Sequence, residues 1–354
     1  MLCNEKFGIF AEKVNGGKQT KDAYVILGEK LGYPRSERFE KVLKRLMDVA
    51  EAAIAASLPC PSGEIARKLG KQEEIVSEKL DGLFKKGIIF NTSKGYQFAR
   101  TMIQLKDATG SDTRLDEAWG HELLDLWKDF CEAEWYPERW KKAQAKELPT
   151  FRIIPSRKAI PQGTKLLPAE DLEVIVNKAT KLAVVACPCR RILRNCDSPV
   201  EVCLMFNRGA EYNIARGAGK ELTREEAMKL LEIAGDAGLI HNVDNRSEIT
   251  NVICNCCNDC CGLFYPLIKY GGLEKVVAKS RFKADVEKAI CNGCQVCIER
   301  CPFEAIEMVK VAGEKKLKAK ISPQKCFGCG VCVLKCKPAA IRFMEVRPPE
   351  HIPA

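Results

Sequence analysis

Cys291-Asn-Gly-Cys294-Gln-Val-Cys297-Ile-Glu-Arg-Cys301-Pro302 and Cys326-Phe-Gly-Cys329-Gly-Val-Cys332-Val-Leu-Lys-Cys336-Lys-Pro338 are one pattern written twice, 35 residues apart. Each copy leads to Ala-Ile, at Ala305-Ile306 and Ala340-Ile341. Three cysteines with two residues between neighbours wrap a tight loop around one face of a [4Fe–4S] cubane, one thiolate to each iron. The fourth cysteine, after three intervening residues, points away and ligates the other cluster. The expected sets are Cys291, Cys294, Cys297 and Cys336 for cluster A, and Cys326, Cys329, Cys332 and Cys301 for cluster B. Crossed ligation ties the halves into one pseudo-symmetric unit and holds the clusters close enough for rapid electron transfer. The glycines suit close backbone approach, and backbone N–H groups there can donate to sulfur and tune the potential.

This segment resembles the bacterial two-cluster ferredoxins over roughly 55 residues. It departs from them at Lys337, where a proline usually follows the fourth cysteine; Pro338 sits one place later. Paired zinc knuckles are the competing assignment, but zinc sites usually join C-x2-C pairs across a longer loop.

The chain has 354 residues, enough for two or three domains. Its 46% apolar and 29% charged content is that of a soluble globular protein. No apolar stretch approaches the roughly 20 residues of a membrane helix. The N-terminus has no basic region followed by an apolar run, so a cytoplasmic location is expected. In that compartment the 20 cysteines point to metal rather than disulfides. Seventeen lie from Cys187 to Cys336, and Cys3, Cys60 and Cys131 are expected to be plain thiols. The formal charge of +10 counts every cysteine as neutral. Two to four clusters would remove roughly four to eight units. The residual basicity is weak evidence for nucleic acid and suits an acidic redox partner.

Nine central cysteines form two groups: Cys187, Cys189, Cys196 and Cys203, then Cys254, Cys256, Cys257, Cys260 and Cys261. They imply one or two further [4Fe–4S] clusters, with zinc as the alternative. Neighbouring side chains diverge, so the adjacent pairs Cys256-Cys257 and Cys260-Cys261 suit two clusters, or one cluster with spare redox-active thiols. The stretches at residues 187–190, 203–206, 227–241 and 254–261, together with the C-terminal repeat, resemble a family of anaerobe iron–sulfur proteins described as 4Fe–4S binding. The resemblance covers most of the chain and implies a redox protein without naming a substrate.

The expected class is α+β. Residues 1–35 form an N-terminal segment and 36–105 a winged-helix-like domain. Residues 106–167 hold a Trp-rich helical stretch and a linker, 168–280 a mixed Cys-rich domain, and 281–354 the ferredoxin domain. An amphipathic helix is expected over residues 40–56. A helix over 63–69 capped by Ser62 and closed by Gly70 follows, then one over 72–86 and a hairpin turning at residues 91–95. Trp119, Leu123, Trp127 and Phe130 recur at helical spacing, either as core or as a docking face. Residues 148–168 read as a linker or extended segment, and 170–180 as a helix leading into a strand over 182–186. Thr223 and Glu226 make a capping box.

No G-x-G-x-x-G follows an expected strand, and Gly217-Ala-Gly219-Lys220-Glu221 lacks the spacing of a P-loop. Neither His121, His241 nor His351 pairs with a nucleophile, and His241 is expected to pack near the central cysteines. No stand-alone acid–base or hydrolytic catalysis is expected. The leading expectation is an electron-transfer subunit serving an oxidoreductase of anaerobic metabolism through three or four clusters. Two alternatives stand beside it: an iron–sulfur transcription regulator with a winged-helix reader, and a small-molecule reductase using a central cluster or thiol pair. The helix over 72–86 carries Glu73, Glu74, Glu78 and Asp81 where a reader would meet phosphates, which argues for protein docking rather than DNA.

Overall fold

The computed structural model describes residues 22–248 and 251–354. Helices and strands are mixed along the chain, with helices dominating from Ala23 to Gln144, an α+β composition. Two compact units form. The first takes the residues up to Trp135 together with Ala186–Ile192 and Tyr212–Gly219; the second takes Tyr136–Val185, Leu193–Glu211 and Lys220–Ala354.

In the first unit the helix Glu37–Leu46 buries Phe39, Val42, Leu43 and Leu46, the i, i+3, i+4, i+7 stripe of an amphipathic helix. Ser36 accepts from the Phe39 N–H, and the acidic and basic residues sit at the favourable ends of the dipole. The single helix expected over 40–56 is instead two, Glu37–Leu46 and Val49–Ser57. The break has a local cause. Asp48 is extended and accepts from the Glu51 N–H while Glu51 accepts from the Asp48 N–H, a capping box that starts a new helix. Ser62–Leu69, Glu73–Lys85 and the hairpin of Ile89–Thr92 with Gly95–Phe98 follow. Pro61 occupies the N-cap expected for Ser62, whose hydroxyl instead donates to Glu73 at 2.7 Å. Gly70 ends its helix at φ +60°. In Glu122–Phe130 the residues Leu123, Trp127 and Phe130 are core, and Trp127 Nε1 donates to Thr109 Oγ1 at 3.0 Å. Those three side chains are therefore not a docking face.

The second unit is built on a seven-stranded sheet in the order Lys220–Glu221, Leu182–Ala186, Glu201–Phe206, Val252–Cys256, Ile240–Asp244, Phe151–Ile154, Val277–Ala278. Phe151–Ile154 lies within the segment read as linker or extended chain; it pairs antiparallel with Ile240–Asp244 and parallel with Val277–Ala278. One face of the sheet packs on the helices Leu172–Lys178 and Arg224–Asp236, through Ile154, Val176, Phe206, Leu231, Val243 and Ile253. The Thr223–Glu226 capping box is present. The other face places Ile153, Ile240, Cys256 and Cys261 in one apolar cluster with Phe264, Phe327 and Cys329.

The C-terminal segment forms two short antiparallel pairs, Phe282–Val286 with Ile341–Glu345 and Ile306–Val309 with Lys318–Ile321. Strand follows loop twice, and the cysteine loops lie between. Among the described residues no helix is long and apolar enough to cross a membrane.

Candidate metal centre

The two cysteine loops share a backbone path. Gly293 and Gly328 have φ of +76° and +71°, Gln295 and Gly330 have +67° and +79°, and Glu304 and Ala339 have +50° and +53°. Each pair is separated by the 35-residue repeat. The left-handed turns aim successive N–H groups and side chains inward, as a cluster cradle needs. Gly328 admits no side chain: a Cβ there would lie 2.0 Å from the Phe282 carbonyl oxygen.

The structure brings cysteines of the two loops together. One cavity is lined by Cys291, Cys294, Cys297 and Cys336, with Gly293, Met308, Ala319, Pro338 and Ile341. Burial pushes the Cys297 thiol up to about 11, and Cys294, Cys336 and Cys291 are the neighbouring charges that add to it. For the other set, burial pushes Cys329 up to about 12, with Cys301 and Cys326 adding. Cys332 is raised by burial and then by Cys329, Cys326 and Cys301. Each set thus draws its fourth thiol from the other loop. Raised thiols packed together are costly as thiolates and unproductive as thiols; iron bound by all four offsets that cost. Backbone donors are also in place, Ala305 N–H to Cys301 Sγ at 3.3 Å and Ala319 N–H to Cys291 Sγ at 3.5 Å. These residues fit two cubanes, which supply one-electron chemistry when bound, while the protein sets potential through burial and N–H donation to sulfur. Cys294 is exposed, whereas Cys326, Cys329 and Cys332 are buried.

The central cysteines divide. Cys196 Sγ lies 3.9 Å from Cys257 Sγ and 3.7 Å from Cys260 Sγ. Asp259 joins them, and all four donor atoms lie within 4.8 Å of one another. Burial raises the Asp259 carboxyl, but hydrogen bonding from Cys257, Cys196 and Cys260 outweighs it, and the net shift is downward. Hydrogen bonding to Cys257, then burial, pushes Cys260 up. The other half of each adjacent pair goes elsewhere: Cys256 Sγ is 3.4 Å from Cys261 Sγ. Hydrogen bonding to Cys254 and to Cys261 raises the Cys256 thiol, and burial adds. The register Leu204↔Ile253 puts Cys203 opposite Cys254 one step further along, on the same face.

Cys187 and Cys189 belong to the first unit. There the almost fully buried Lys106 donates to Cys189 Sγ at 3.4 Å, and Arg191 pairs with Asp116 at 2.5 Å. His241, expected to pack near the central cysteines, instead faces the helix side of the sheet: it stands opposite Asn255, between the Cys256 and Cys254 positions but on the other face from them, lines a cavity with Leu172, Leu231 and Gly235, and its Nδ1 is 2.6 Å from Asn255 Oδ1. Asn255 in turn donates to the Val202 carbonyl at 2.5 Å. Cys131 is buried and outside any disulfide, whereas Cys60, expected to be a thiol, is disulfide-bonded; Cys3 lies outside the described residues. Sequence reasoning missed Asp259 and Lys106. Asp259 was visible in Cys257-Asn-Asp-Cys260, where a carboxylate sits inside a C-x2-C pair; Lys106 left no such signal.

The family described as 4Fe-4S dicluster domain matches residues 290–341. That match covers both cysteine loops and supports an iron–sulfur, ferredoxin-like C-terminal segment. No curated protein and no solved structure matches the chain.

Proposed function

We propose that the protein is a single-electron carrier that serves an oxidoreductase, receiving or delivering electrons through clusters A and B and a further central iron–sulfur cluster. The observation that carries this is packing around Cys329, a cluster B ligand. It shares one apolar cluster with Cys256 and Cys261, and half-buried Cys254 packs against it. Central thiols and cluster B therefore sit in one dry region, where a short electron path is possible. Cys203, Cys254, Cys256 and Cys261 are the central ligands favoured in the second unit. In the first unit, the Lys106 cation beside Cys189 suits a thiolate there, so Cys187 and Cys189 remain candidate ligands.

Cluster A is the port to the partner. Cys294 is exposed, and Lys316 lies against the Gly293 turn beside it. With Lys315 and Lys320 also exposed, the rim suits an acidic redox partner. The segment resembling a winged helix is a protein-docking scaffold in this scheme. Glu73, Glu74, Glu78 and Asp81 are all exposed on its helix Glu73–Lys85, which disfavours nucleic acid. The setting is the cytoplasm of an anaerobe, where reduced low-potential clusters persist.

Anaerobic purification with iron and acid-labile sulfide counted per chain tests the cluster content. About twelve irons and twelve sulfides are expected, and about eight would overturn the central cluster. EPR of the reduced protein is expected to show the interacting spectrum of two neighbouring [4Fe–4S]⁺ centres; its absence would overturn the relay.

A further inference from the structure

Two distances set one group of central cysteines apart from the eight cysteines assigned to clusters A and B. Two sulfurs bound at about 2.3 Å to a single tetrahedral ion stand about 3.8 Å apart. Cys196 Sγ stands 3.9 Å from Cys257 Sγ and 3.7 Å from Cys260 Sγ. Thiolates on a cubane bind separate irons and are spread more widely, so Cys256 and Cys261, a close pair at 3.4 Å, would have to part on taking up a cluster. The chain contains its own control. Among the described residues, Cys196, Cys257, Asp259 and Cys260 are the one group of three or more His, Cys, Asp or Glu whose donor atoms all lie within 4.8 Å of one another. The eight cysteines of the two C-terminal loops are described too, and they do not gather in this way.

The surroundings agree. The loop carrying Cys196 is held to the turn carrying Asp259 by two bonds from Asn195. Its backbone N–H donates to Cys260 Sγ at 3.3 Å and its side-chain amide donates to the Asp259 carbonyl at 2.8 Å. An N–H aimed at a ligand sulfur orients the ligand and stabilises its thiolate form. Asp259 Oδ1 is shielded from solvent and has no hydrogen-bond partner, a costly arrangement that a cation would relieve. Three thiolates and one carboxylate make a closed, four-donor set for a borderline-soft ion with no redox chemistry of its own.

We propose that Cys196, Cys257, Cys260 and Asp259 bind one tetrahedral Zn²⁺, separate from the iron–sulfur clusters. The ion staples the loop after residue 193 to the Cys257–Cys260 turn. It also explains the adjacent cysteine pairs: Cys257 and Cys260 serve zinc, while Cys256 and Cys261 face the apolar cluster shared with Cys329. Zinc carries no electron, so the site stands whether or not the relay proposed above is correct.

The test is zinc, iron and sulfide analysis of the full chain purified anaerobically, with zinc X-ray absorption on the same sample. About one zinc per chain is expected, with sulfur near 2.3 Å in threefold excess over oxygen near 2.0 Å. Cys257→Ala is expected to lose the zinc and keep the irons of clusters A and B, and their EPR signal shows that the variant has folded. Asp259→Asn, which leaves the three thiolates, is expected to release zinc to the chelator 4-(2-pyridylazo)resorcinol at least about tenfold faster than wild type. Absence of zinc from the wild-type chain would overturn the proposal. So would iron in its place, with or without sulfide, or zinc retained unchanged in both variants.

Discussion

The Arg281 guanidinium meets Glu170 Oε1 at 2.5 Å with only 3% and 1% of the two side chains exposed. Arg281 immediately precedes the strand Phe282–Val286 of the C-terminal segment, and Glu170 precedes the helix Leu172–Lys178 that packs on the seven-stranded sheet. Arg300 adds a second tie, donating to the carbonyls of Gly235 at 2.9 Å and Asp236 at 3.2 Å at the end of Arg224–Asp236. The cluster-binding segment is thus welded to the sheet within the second unit. Removing one partner of a buried pair strands the other charge. Glu170→Ala is expected to destabilise the unit by about 3–5 kcal/mol. Arg281 also contacts Glu345, which is 43% exposed. Glu345→Ala should cost about 1 kcal/mol or less. Denaturant midpoints of the two variants under anaerobic conditions check the ranking, and equal losses would contradict it.

Gln295 and Gly330 occupy the same left-handed position of the two loops, at φ +67° and +79°. A non-glycine residue there costs about 1–2 kcal/mol. Gln295→Gly is expected to stabilise the holoprotein by roughly 1 kcal/mol after the extra chain entropy of glycine is subtracted. Gly330→Ala is expected to cost about 2–4 kcal/mol, because its Cβ would also come within 2.5 Å of the Ala159 Cβ. Cluster-loss temperatures followed by the visible absorbance should move in opposite directions.

Crossed ligation makes a pairwise prediction. If Cys336 belongs to the set of Cys291, the double variant Cys291→Ala/Cys336→Ala disables one cluster and loses about four irons. Cys326→Ala/Cys336→Ala then disables both and loses about eight. Uncrossed loops would give the reverse pattern, and iron and sulfide analysis of the two proteins decides between them.

The repeat was legible because a cluster forces the same left-handed turns at the same offsets, and glycine marks half of them, at Gly293, Gly328 and Gly330. The sheet was far less so. Phe151–Ile154 is four residues between prolines and basic residues, and its place is fixed only by partners some 90 and 125 residues away, at Ile240–Asp244 and Val277–Ala278. In Val252–Cys256 the cysteines at alternate positions point to metal ligation, and Cys254 and Cys256 also share one face of a strand. The break at Asp48 was written in Asp48-Val-Ala-Glu51, but it lies inside a run whose apolar period continues on both sides. Among the central cysteines, the divergence of adjacent side chains was foreseeable from local geometry. Which of them would meet Cys196 was not, since that contact spans about 60 residues of intervening chain.

His241 should make stability depend on pH. Burial holds its imidazole down at about 4, although the hydrogen bond with Asn255 acts in the opposite sense. The unfolded chain returns it to about 6.5. The folded form therefore keeps it neutral while the unfolded form takes up a proton between those values. Stability from this group is fully present above about pH 6.5 and is lost as pH falls from there towards 4. The loss approaches roughly 3 kcal/mol at the acid end. Urea unfolding at pH 7.5 and pH 5.5 should show a drop of about 1–2 kcal/mol in the wild-type chain attributable to His241. His241→Gln, which keeps a polar group for Asn255 but has no titrating nitrogen, should lose less between the two pH values. An identical drop in both proteins would place the acid sensitivity elsewhere, and the cluster thiolates would be the next groups to examine.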